Sequence, residues 1–233
     1  MVAKLRPAAT VIPIREAAVG TAPKLLLLRR AKTLSFAPEC WVFPGGALEQ
    51  GDYLNGRSDI IAASFNAASR EAREESGLVL PPEQLLCYSH WITPAVEPKR
   101  FSTWMCLARL QEDQPVRVDN YEITAHQWLT AAEAIERYEA GQLKLMPPTY
   151  LSLLEFRELH TVERLLARVD SRKPPCYRPK IVGRGNQPGY HQGLHILYEE
   201  DVAYETENLD AEGRYHRITV TDRGYKYINS SSS

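Results

Sequence analysis

The chain has 233 residues, of which 44% are hydrophobic and 24% charged, with 28 basic and 29 acidic side chains. These values are ordinary for a globular protein and exclude disorder, collagen and coiled coil as descriptions of the whole chain. A formal charge of −1 supplies no broad basic surface for nucleic acid, so any anion binding must be local.

Hydropathy argues against a membrane partner. The longest aliphatic run, Leu25 to Leu28, is far short of the roughly 20 residues that a membrane helix needs. Residues 1–20 are broken by Arg6, Pro7 and Pro13 and lack the apolar centre of a signal peptide. We therefore expect a cytoplasmic protein with no nucleic-acid or membrane partner, and a homodimer is compatible with the sequence.

The first part of the chain predicts strands followed by one acid-rich helix. Runs rich in Val, Ile and Leu predict strands at residues 8–15, 23–29 and 41–43. The third strand leads into Pro44, Gly45 and Gly46. From Asp59 to Ser76 apolar residues recur at helical spacing, and Gly77 follows where a left-handed helix cap belongs.

The middle of the chain predicts three more strands and two helices. The strands are expected at residues 84–92, 101–110 and 122–129. Thr130 and Glu133 form a capping box ahead of a helix that Gly141 stops. Two prolines at positions 147 and 148 then open a second, longer helix that extends through Leu166. This order of elements predicts an α/β fold in which helices pack on the faces of a mixed sheet.

The C-terminal region, residues 171–233, changes in character. Basic residues cluster among prolines at 172–184, and the stretch Glu199–Glu212 holds acids and no bases. Because no flexible linker separates this region, we expect one domain at residues 1–170 with a C-terminal extension packed on it. The pattern predicts a loop followed by short strands, near Leu194–Tyr198 and Tyr215–Thr221.

The most informative segment is the end of the predicted acid-rich helix. It reads Arg70-Glu71-Ala72-Arg73-Glu74-Glu75-Ser76-Gly77-Leu78. Residues three and four apart share a helix face, so the carboxylates of Glu71, Glu74 and Glu75 can converge. Such like charges repel unless a basic side chain or a hard divalent cation lies between them, and oxygen ligands favour magnesium or manganese. An acid-rich helix is also commonly a solvated face with ordinary ion pairs.

Two neighbouring features complete a candidate cation site. Arg70 precedes Glu74 by four residues, so it can brace one carboxylate while the others remain for metal. The Gly45-Gly46 pair lets the backbone bend tightly and present a carbonyl oxygen to the same cation. Together with the helix, these residues form a strand-loop-helix unit of hard oxygen ligands.

These residues resemble the Nudix box, G-x5-E-x7-R-E-U-x-E-E-x-G-U, in which U is a bulky aliphatic residue. Asp52 stands where the family has its first glutamate, and Ala72 fills the first U position. Between Asp52 and Arg70 lie 17 residues instead of seven, so the loop ahead of the helix is ten residues longer than the usual pattern. The matching residues are Gly46, Arg70, Glu71, Glu74, Glu75, Gly77 and Leu78.

The resemblance implies a Nudix α/β/α sandwich over residues 8–166 and hydrolysis of a nucleoside diphosphate that is linked to another group. It implies that Glu71, Glu74 and Glu75 bind magnesium or manganese, with the Gly46 carbonyl as a further ligand. Water then attacks one phosphorus, and one of these glutamates or an acid from a later loop is the general base.

Glu122 is the first candidate for that later acid, and Glu97 is a weaker one. Glu122 lies just before the predicted strand that ends in Trp128-Leu129, a region where many relatives carry an extra carboxylate. A solvated glutamate at a strand edge is an equally good interpretation of this residue.

Outside the box, the chain partly resembles the Nudix coenzyme A diphosphatases, whose pattern is L-L-T-x-R-[S/A]-x3-R-x3-G-x3-F-P-G-G. The matching residues are Leu26, Leu27, Arg30, Ala31 and Phe43-Pro44-Gly45-Gly46. The departures are Leu28 for Thr, Ser35 for the second Arg and Glu39 for Gly. The lengthened box, with Trp91-Ile92-Thr93-Pro94 and Pro147-Pro148-Thr149, is similar to the acyl-CoA diphosphatase branch that has an extended Nudix loop.

A coenzyme A site needs cations for a 3′-phosphate as well as for the diphosphate. The candidate substrate-binding residues are Arg30, Lys99 and Arg100, and the basic cluster at 172–184 is another candidate. Each of these side chains also fits an ordinary role as solvated surface charge.

Three functional hypotheses follow. The leading one is a magnesium- or manganese-dependent diphosphatase that cleaves coenzyme A or acyl-CoA to 3′,5′-ADP and an (acyl-)phosphopantetheine. A second enzyme hypothesis keeps the same box and acts on ADP-ribose or another nucleoside diphosphate. A hypothesis of another class is a non-catalytic nucleotide-binding regulatory module, which usually loses a box carboxylate, whereas Glu71, Glu74 and Glu75 are all present here.

Overall fold

The structure, a computed structural model, describes residues 2–16, 18, 20–54, 59–183 and 193–230. The chain divides into a large unit, Arg6–His90 with Ser102–Pro175, and a small unit, Met1–Leu5 with Trp91–Phe101 and Cys176–Ser233. The expected division at residue 170, and the packing of the extension on the domain, stay predictions. Within the described ranges, no helix has the length and apolar character to cross a bilayer.

The secondary structure follows the predicted order through residue 141. In the described residues the strands are β1 Leu5–Arg15, β2 Lys24–Arg30, β3 Trp41–Val42, β4 Gly45–Ala47, β5 Leu86–Ile92, β6 Arg100–Arg109, β7 Ile123–Thr130, β8 Cys176–Tyr177, β9 Lys180–Gly183, β10 Leu194–Leu197, β11 Tyr215–Thr221 and β12 Gly224–Ser230. The helices are α1 Ile60–Ser76, α2 Ala131–Glu139, α3 Pro147–Arg157 and α4 Val162–Asp170. Strand β4, at the glycine pair, is an element that the sequence did not predict.

The large unit is built on a mixed sheet, as the order of elements predicts. Its strands lie in the order β3-β2-β1-β6-β5, with β4 also paired to β1 and β7 to β2. Strands β1 and β2 form the predicted antiparallel pair, with Ile14 opposite Leu25. Leu25 to Leu28 are all buried, and because successive side chains point to opposite faces, both faces of β2 are covered.

Helix α1 is defined by its two caps. Asp59 begins it by accepting a hydrogen bond from the backbone N–H of Ala62 at 2.9 Å, and Gly77 ends it with a left-handed φ of 72°. Ala67 and Ala72 are fully buried in the core between the helix and the sheet. These small side chains let the helix lie close to the sheet, which fixes the face that presents the acidic residues.

The prediction of one long helix after Pro147 is wrong. The structure has two helices, since α3 ends at Arg157 and α4 begins at Val162. Thr161 starts α4 because its side chain accepts a hydrogen bond from the backbone N–H of Arg164 at 3.2 Å. The leucines on both sides keep a helical spacing, and apolar periodicity alone does not reveal a break of about one turn.

The small unit contains an antiparallel sheet in the order β12-β11-β10-β9. The strands expected near Leu194–Tyr198 and Tyr215–Thr221 are confirmed as β10 and β11. The prediction of a loop at 172–184 is wrong over β8 and β9, and β12 was not predicted. Prolines and charges in these segments are typical of loops, but pairing with a neighbouring strand overrides such local preferences.

Candidate active site

The end of helix α1 brings three predicted site residues together. The guanidinium of Arg70 donates from Nη1 to Glu71 Oε1 at 2.9 Å and to Glu74 Oε2 at 3.0 Å. The side chain of Glu71 is 14% exposed and that of Glu74 is 57% exposed, so the pair runs from the interior to the solvent. Arg70 therefore braces two carboxylates rather than the one that the spacing suggested.

Asp52 fixes Arg70 from the opposite side. Its buried carboxylate accepts hydrogen bonds from Arg70 Nε at 3.2 Å and from Arg70 Nη2 at 3.1 Å. It also accepts from the backbone N–H of Glu49 at 2.8 Å, and the Asn66 side chain donates to the Asp52 carbonyl at 2.8 Å. Asp52 therefore positions the Arg70 guanidinium. The only feature of the sequence that pointed to Asp52 was its place in the Nudix box.

Seventeen residues separate Asp52 from Arg70, and they are not all loop. Residues 60–69 form the first part of α1, which confirms the helix predicted from Asp59 to Ser76, so the description of the whole 17-residue stretch as a loop ahead of the helix is wrong. Residues 55–58 lie outside the described residues. Part of the lengthened box is therefore helix, and Asp52 still reaches Arg70 across it.

The glycine pair lies directly against two of the glutamates. Gly46 pairs with Ala9 across β4 and β1, and the Gly45 N–H donates to Glu75 Oε2 at 2.9 Å. A Cβ built on Gly46 would collide with the carboxylate of Glu71, so a larger residue there would have to displace that carboxylate. The Phe-Pro-Gly-Gly segment therefore contacts the two inner carboxylates, those of Glu71 and Glu75. The sequence predicted that it lies close to them.

The inner carboxylates lie in an unfavourable electrostatic setting. Burial raises the pKa of Glu75 to about 8, and the charges of Glu71 and Glu122 add to this rise. The Gly45 N–H and the charge of Arg30 act in the opposite direction and lower this pKa. Burial also raises the pKa of Glu71, and Arg70 only partly offsets the rise. Burial acts against the charge of Arg70, yet Asp52 and Glu71 stabilise it enough that the pKa of Arg70 lies above its usual value. The cluster holds more negative than positive charge, which is the setting that a divalent cation would relieve.

Two residues outside the box approach Glu75 from the sheet. Glu122 precedes β7, and its carbonyl accepts a hydrogen bond from the Ala31 N–H at 2.7 Å. Arg30 ends β2, and its Nε donates to the Phe36 carbonyl at 3.2 Å. The charges of Glu122 and Arg30 both act on Glu75. The structure thus brings the proposed later acid and one proposed substrate cation to the glutamate cluster.

Other predicted site residues belong to the small unit. Arg100 donates from Nε to the carbonyls of Thr93 and Pro94 at 3.1 and 3.2 Å, and from Nη1 to the Ala3 carbonyl at 3.2 Å. These bonds hold its own loop in place. Lys99 and Glu97 lie in the same segment. The substrate role of Lys99 and Arg100, and Glu97 as an alternative acid, stay predictions.

The basic cluster at 172–184 is engaged in ion pairs. Arg172 contacts Glu155 at 2.6 Å, Arg178 contacts Glu199 at 3.1 Å, and Lys180 contacts Glu205 at 3.4 Å. Arg184 lies outside the described residues. These pairs fit the interpretation of the cluster as partly neutralised surface charge.

The donor chemistry of the glutamate cluster suits a hard divalent cation. Glu71, Glu74 and Glu75 supply carboxylate oxygens, and the close fit of Glu71 on Gly46 puts the glycine backbone in the same place. In the part of the chain that the structure describes, no three acidic, histidine or cysteine side chains are placed so that they could hold a metal ion without moving. Arg70 currently bridges two of the three carboxylates, so cation binding would exchange part of that bridge for metal–oxygen contacts.

A groove of about 570 Å³ lies along the outer side of the same helix. No sequence pattern predicted this groove, because it depends on the turn after Asp52 and on the segment at Pro82 coming close to α1. Its lining residues are Leu54, Asn66, Ser69, Arg70, Arg73, Glu74 and Pro82. The groove reaches Glu74, the most exposed carboxylate of the cluster.

The NUDIX domain family model matches residues 4–148, more than half of the chain. The chain is 23% identical to the acyl-coenzyme A diphosphatase NUDT19 of Xenopus laevis, over 85% of this chain and 81% of that protein. It is 32% identical to the human m7GpppN-mRNA hydrolase NUDT17, over 50% of this chain and 38% of that protein.

One solved structure supports the fold. The NUDIX hydrolase of Alicyclobacillus acidocaldarius superposes with a TM-score of 0.62 at 24% identity. The match covers 73% of this chain and 97% of that one. This likeness agrees with the mixed sheet and helices of the large unit.

Proposed function

The chain belongs to the NUDIX domain family, and on that premise we propose that it is a magnesium- or manganese-dependent diphosphatase of coenzyme A or acyl-CoA. Water attack on one phosphorus would release 3′,5′-ADP and an (acyl-)phosphopantetheine. The observation that carries this proposal is the cluster of Glu71, Glu74 and Glu75, which is braced by Arg70 and pressed against the Gly45-Gly46 turn.

The glutamates would hold the cation, with the Gly46 carbonyl as a further ligand. When bound, such a cation neutralises the diphosphate and lowers the pKa of a water molecule. Arg70 keeps the carboxylates of Glu71 and Glu74 within reach of one another, and Asp52 keeps Arg70 in place. Preorganising these charges lowers the reorganisation needed in the transition state.

Glu122 is our proposal for the general base. It is exposed and close enough to Glu75 for their charges to interact, so its carboxylate can accept the proton of the attacking water. Arg30 acts on the same glutamate from the end of β2, and we assign it to the substrate phosphates.

The coenzyme A assignment has two supports. One is the similarity to NUDT19, which extends over most of both chains at 23% identity. The other is the partial coenzyme A pattern between Leu26 and Gly46. Ser35 and Glu39 depart from that pattern, so the substrate class is the part of the proposal that most needs an experiment.

The similarity to an m7GpppN-mRNA hydrolase favours a second candidate, hydrolysis of capped RNA. That similarity spans half of this chain. RNA binding usually needs several phosphate contacts from basic side chains, and a formal net charge of −1 offers no general surplus of them. Capped RNA is therefore the rival substrate to test, beside ADP-ribose.

The experiment is product release from coenzyme A, acetyl-CoA, dephospho-CoA, ADP-ribose and m7GpppN-capped RNA, with Mg²⁺ or Mn²⁺ and with a chelator control. We expect metal-dependent cleavage of the coenzyme A compounds and weaker cleavage of dephospho-CoA. Preference for ADP-ribose or capped RNA would keep the Nudix mechanism and contradict the coenzyme A class. No metal-dependent turnover of any substrate by folded protein would favour a non-catalytic nucleotide-binding module.

A further inference from the structure

Three basic side chains surround one carboxylate at the loop between β2 and β3. Glu39 Oε1 lies 3.2 Å from Arg29 Nη2, and Glu39 Oε2 lies 3.2 Å from Lys144 Nζ. Lys144, Lys32 and Arg29 together lower the pKa of Glu39, with Lys144 as the largest influence. The group defined by Arg29, Lys32, Lys144 and Glu39, the β2–β3 cluster, therefore carries more positive than negative charge.

The backbone of this loop is strained at the acid itself. Glu39 has a φ of 61° and Ala37 has a φ of 47°. Among the described residues, four that are not glycine have a positive φ, and two of them lie in this loop. A residue with a Cβ pays a free-energy cost for this conformation and keeps it only where its surroundings hold it. The two ion pairs of Glu39 supply that restraint.

The β2–β3 cluster adjoins the candidate active site. The Arg30 N–H donates to the Cys40 carbonyl at 3.0 Å, so the end of the loop is tied to the arginine whose charge acts on Glu75. The Trp41 N–H donates to the Lys144 carbonyl at 2.8 Å and holds that lysine beside β3. An anion bound by Arg29 and Lys144 would therefore lie at a loop whose backbone is tied to Arg30, the residue assigned to the substrate phosphates.

We propose that Arg29, Lys32 and Lys144 form a subsite for a substrate phosphate outside the diphosphate, and that the Glu39 carboxylate stands in for this phosphate in the free protein. Guanidinium and ammonium groups bind carboxylate and phosphate through the same charge-assisted hydrogen bonds. A phosphate monoester carries about −1.5 to −2 charges at neutral pH, which suits the positive excess better than one carboxylate does. Displacement of Glu39 also removes the restraint on its left-handed backbone.

This inference rests on the proposed function and sharpens it, because it selects nucleotides that carry a further phosphate, such as a 3′-phosphate. It predicts that Glu39 competes with the substrate. Removing the Glu39 carboxylate should therefore strengthen phosphate binding, whereas removing Arg29 or Lys144 should weaken it. An ordinary surface ion pair would give no such opposite effects.

The test is calorimetric binding of adenosine 3′,5′-bisphosphate and of AMP to the full chain in Mg²⁺ buffer. We expect the wild type to bind the bisphosphate at least about tenfold more tightly than AMP. Glu39→Gln should tighten bisphosphate binding by at least about threefold and leave AMP unchanged. Arg29→Gln and Lys144→Gln should each weaken bisphosphate binding by about fivefold or more.

Two further variants keep this test decisive. Glu39→Gly removes the carboxylate and suits the left-handed backbone, so it should tighten binding even if the glutamine variant folds poorly. Arg157→Gln removes an exposed arginine whose ion pair, within the described residues, is with its neighbour Glu158, and it should change nothing. Equal binding of both nucleotides by the wild type, or no effect of the Glu39 variants, would overturn the subsite.

The binding readout also separates the two proposals. If the β2–β3 cluster behaves as expected and coenzyme A is not hydrolysed, the subsite stands and the proposed function fails. If coenzyme A is hydrolysed and the Glu39, Arg29 and Lys144 variants bind both nucleotides like the wild type, the function stands and the subsite fails.

Discussion

Two buried carboxylates in different units of the molecule have pKa values shifted in opposite directions. Glu75 in the large unit is 6% exposed and Asp201 in the small unit is 5% exposed. Burial raises the pKa of Glu75 to about 8. Burial acts in the same direction on Asp201, yet hydrogen bonds from Arg217, Ala203 and His216 outweigh it, and the pKa of Asp201 lies below its usual value.

The difference lies in the donors around each carboxylate. Asp201 accepts from Arg217 Nε at 2.7 Å and Nη2 at 2.6 Å, and from the backbone N–H groups of Ala203 and His216. Within the described residues, the hydrogen bond to Glu75 comes from the Gly45 N–H. Asp201 is thus compensated by its own fold, whereas Glu75 is not. Undercompensated buried charge is typical of functional sites, and compensated charge is typical of structural ones.

The largest effect is expected when the Asp201 carboxylate of the compensated site is removed. Asp201→Asn leaves the buried Arg217 guanidinium without its counter-charge, so we expect the free energy of unfolding to fall by about 3 kcal/mol or more. Denaturant unfolding measures this loss. Asp210→Asn, at an exposed acid in the same segment, is the matched control and should change stability by less than about 0.5 kcal/mol. An equal effect of the two variants would contradict the structural role of Asp201.

Next in size is the loss of activity at the undercompensated site. Glu74→Gln or Glu75→Gln should lower kcat by at least about 100-fold, because each removes a charge that would hold the cation. In metal-free buffer, Glu75→Gln should leave the free energy of unfolding unchanged or higher, opposite to Asp201→Asn. Glu136→Gln on α2 is the control. Turnover near the wild-type rate in both site variants would rule out the assignment.

A smaller effect is expected where the glycine turn meets Glu71. Gly46→Ala puts a Cβ into the Glu71 carboxylate, and the displaced acid should cost about tenfold in kcat. Gly51→Ala is the matched control, because no atom lies within 4 Å of its added Cβ. Steady-state kinetics of the two variants measure this difference. Equal kcat values for Gly46→Ala and Gly51→Ala would contradict the prediction.

The smallest effect is a pH dependence of stability in the small unit. Burial lowers the pKa values of His195 and His216 below 6.5, so their neutral forms favour the fold above pH 6.5 and this contribution is lost as pH falls through their folded-state pKa values. Asp201 has a pKa below 3.8, so its contribution is present above that pH and is lost on further acidification. Unfolding curves of the Glu75→Gln variant, which removes the opposing titration of Glu75, should show both losses in that order from pH 8 to about pH 3. Constant stability down to about pH 5 would contradict the histidine contribution.

Local sequence patterns were sufficient for the helix that carries the site. The capping residue Asp59, the left-handed Gly77 and the three-and-four spacing of the glutamates are all encoded within a few turns of chain. Their meeting with the Gly45-Gly46 turn was inferred from the box. The family resemblance, rather than periodicity, linked these separate segments.

Long-range pairings were the part that the sequence could not supply. The hydrogen bonds between the Asp52 carboxylate and the Arg70 guanidinium join two residues that are separated by 17 others. The Asp201–Arg217 pair joins a turn to a strand. The ion pair between Glu39 and Lys144 also joins residues more than a hundred positions apart. Such contacts depend on tertiary packing. The break between α3 and α4 was missed for another reason, because the apolar spacing continues across it.

The most direct measurement is Mn²⁺ binding, followed by electron paramagnetic resonance, to the wild type, Glu75→Gln and Asp201→Asn. The account predicts saturable binding by the wild type, weakened by at least about tenfold in Glu75→Gln and unchanged in folded Asp201→Asn. Binding that is absent from the wild type, or equal in the wild type and Glu75→Gln, would contradict the claim that the glutamate cluster is a divalent-cation site.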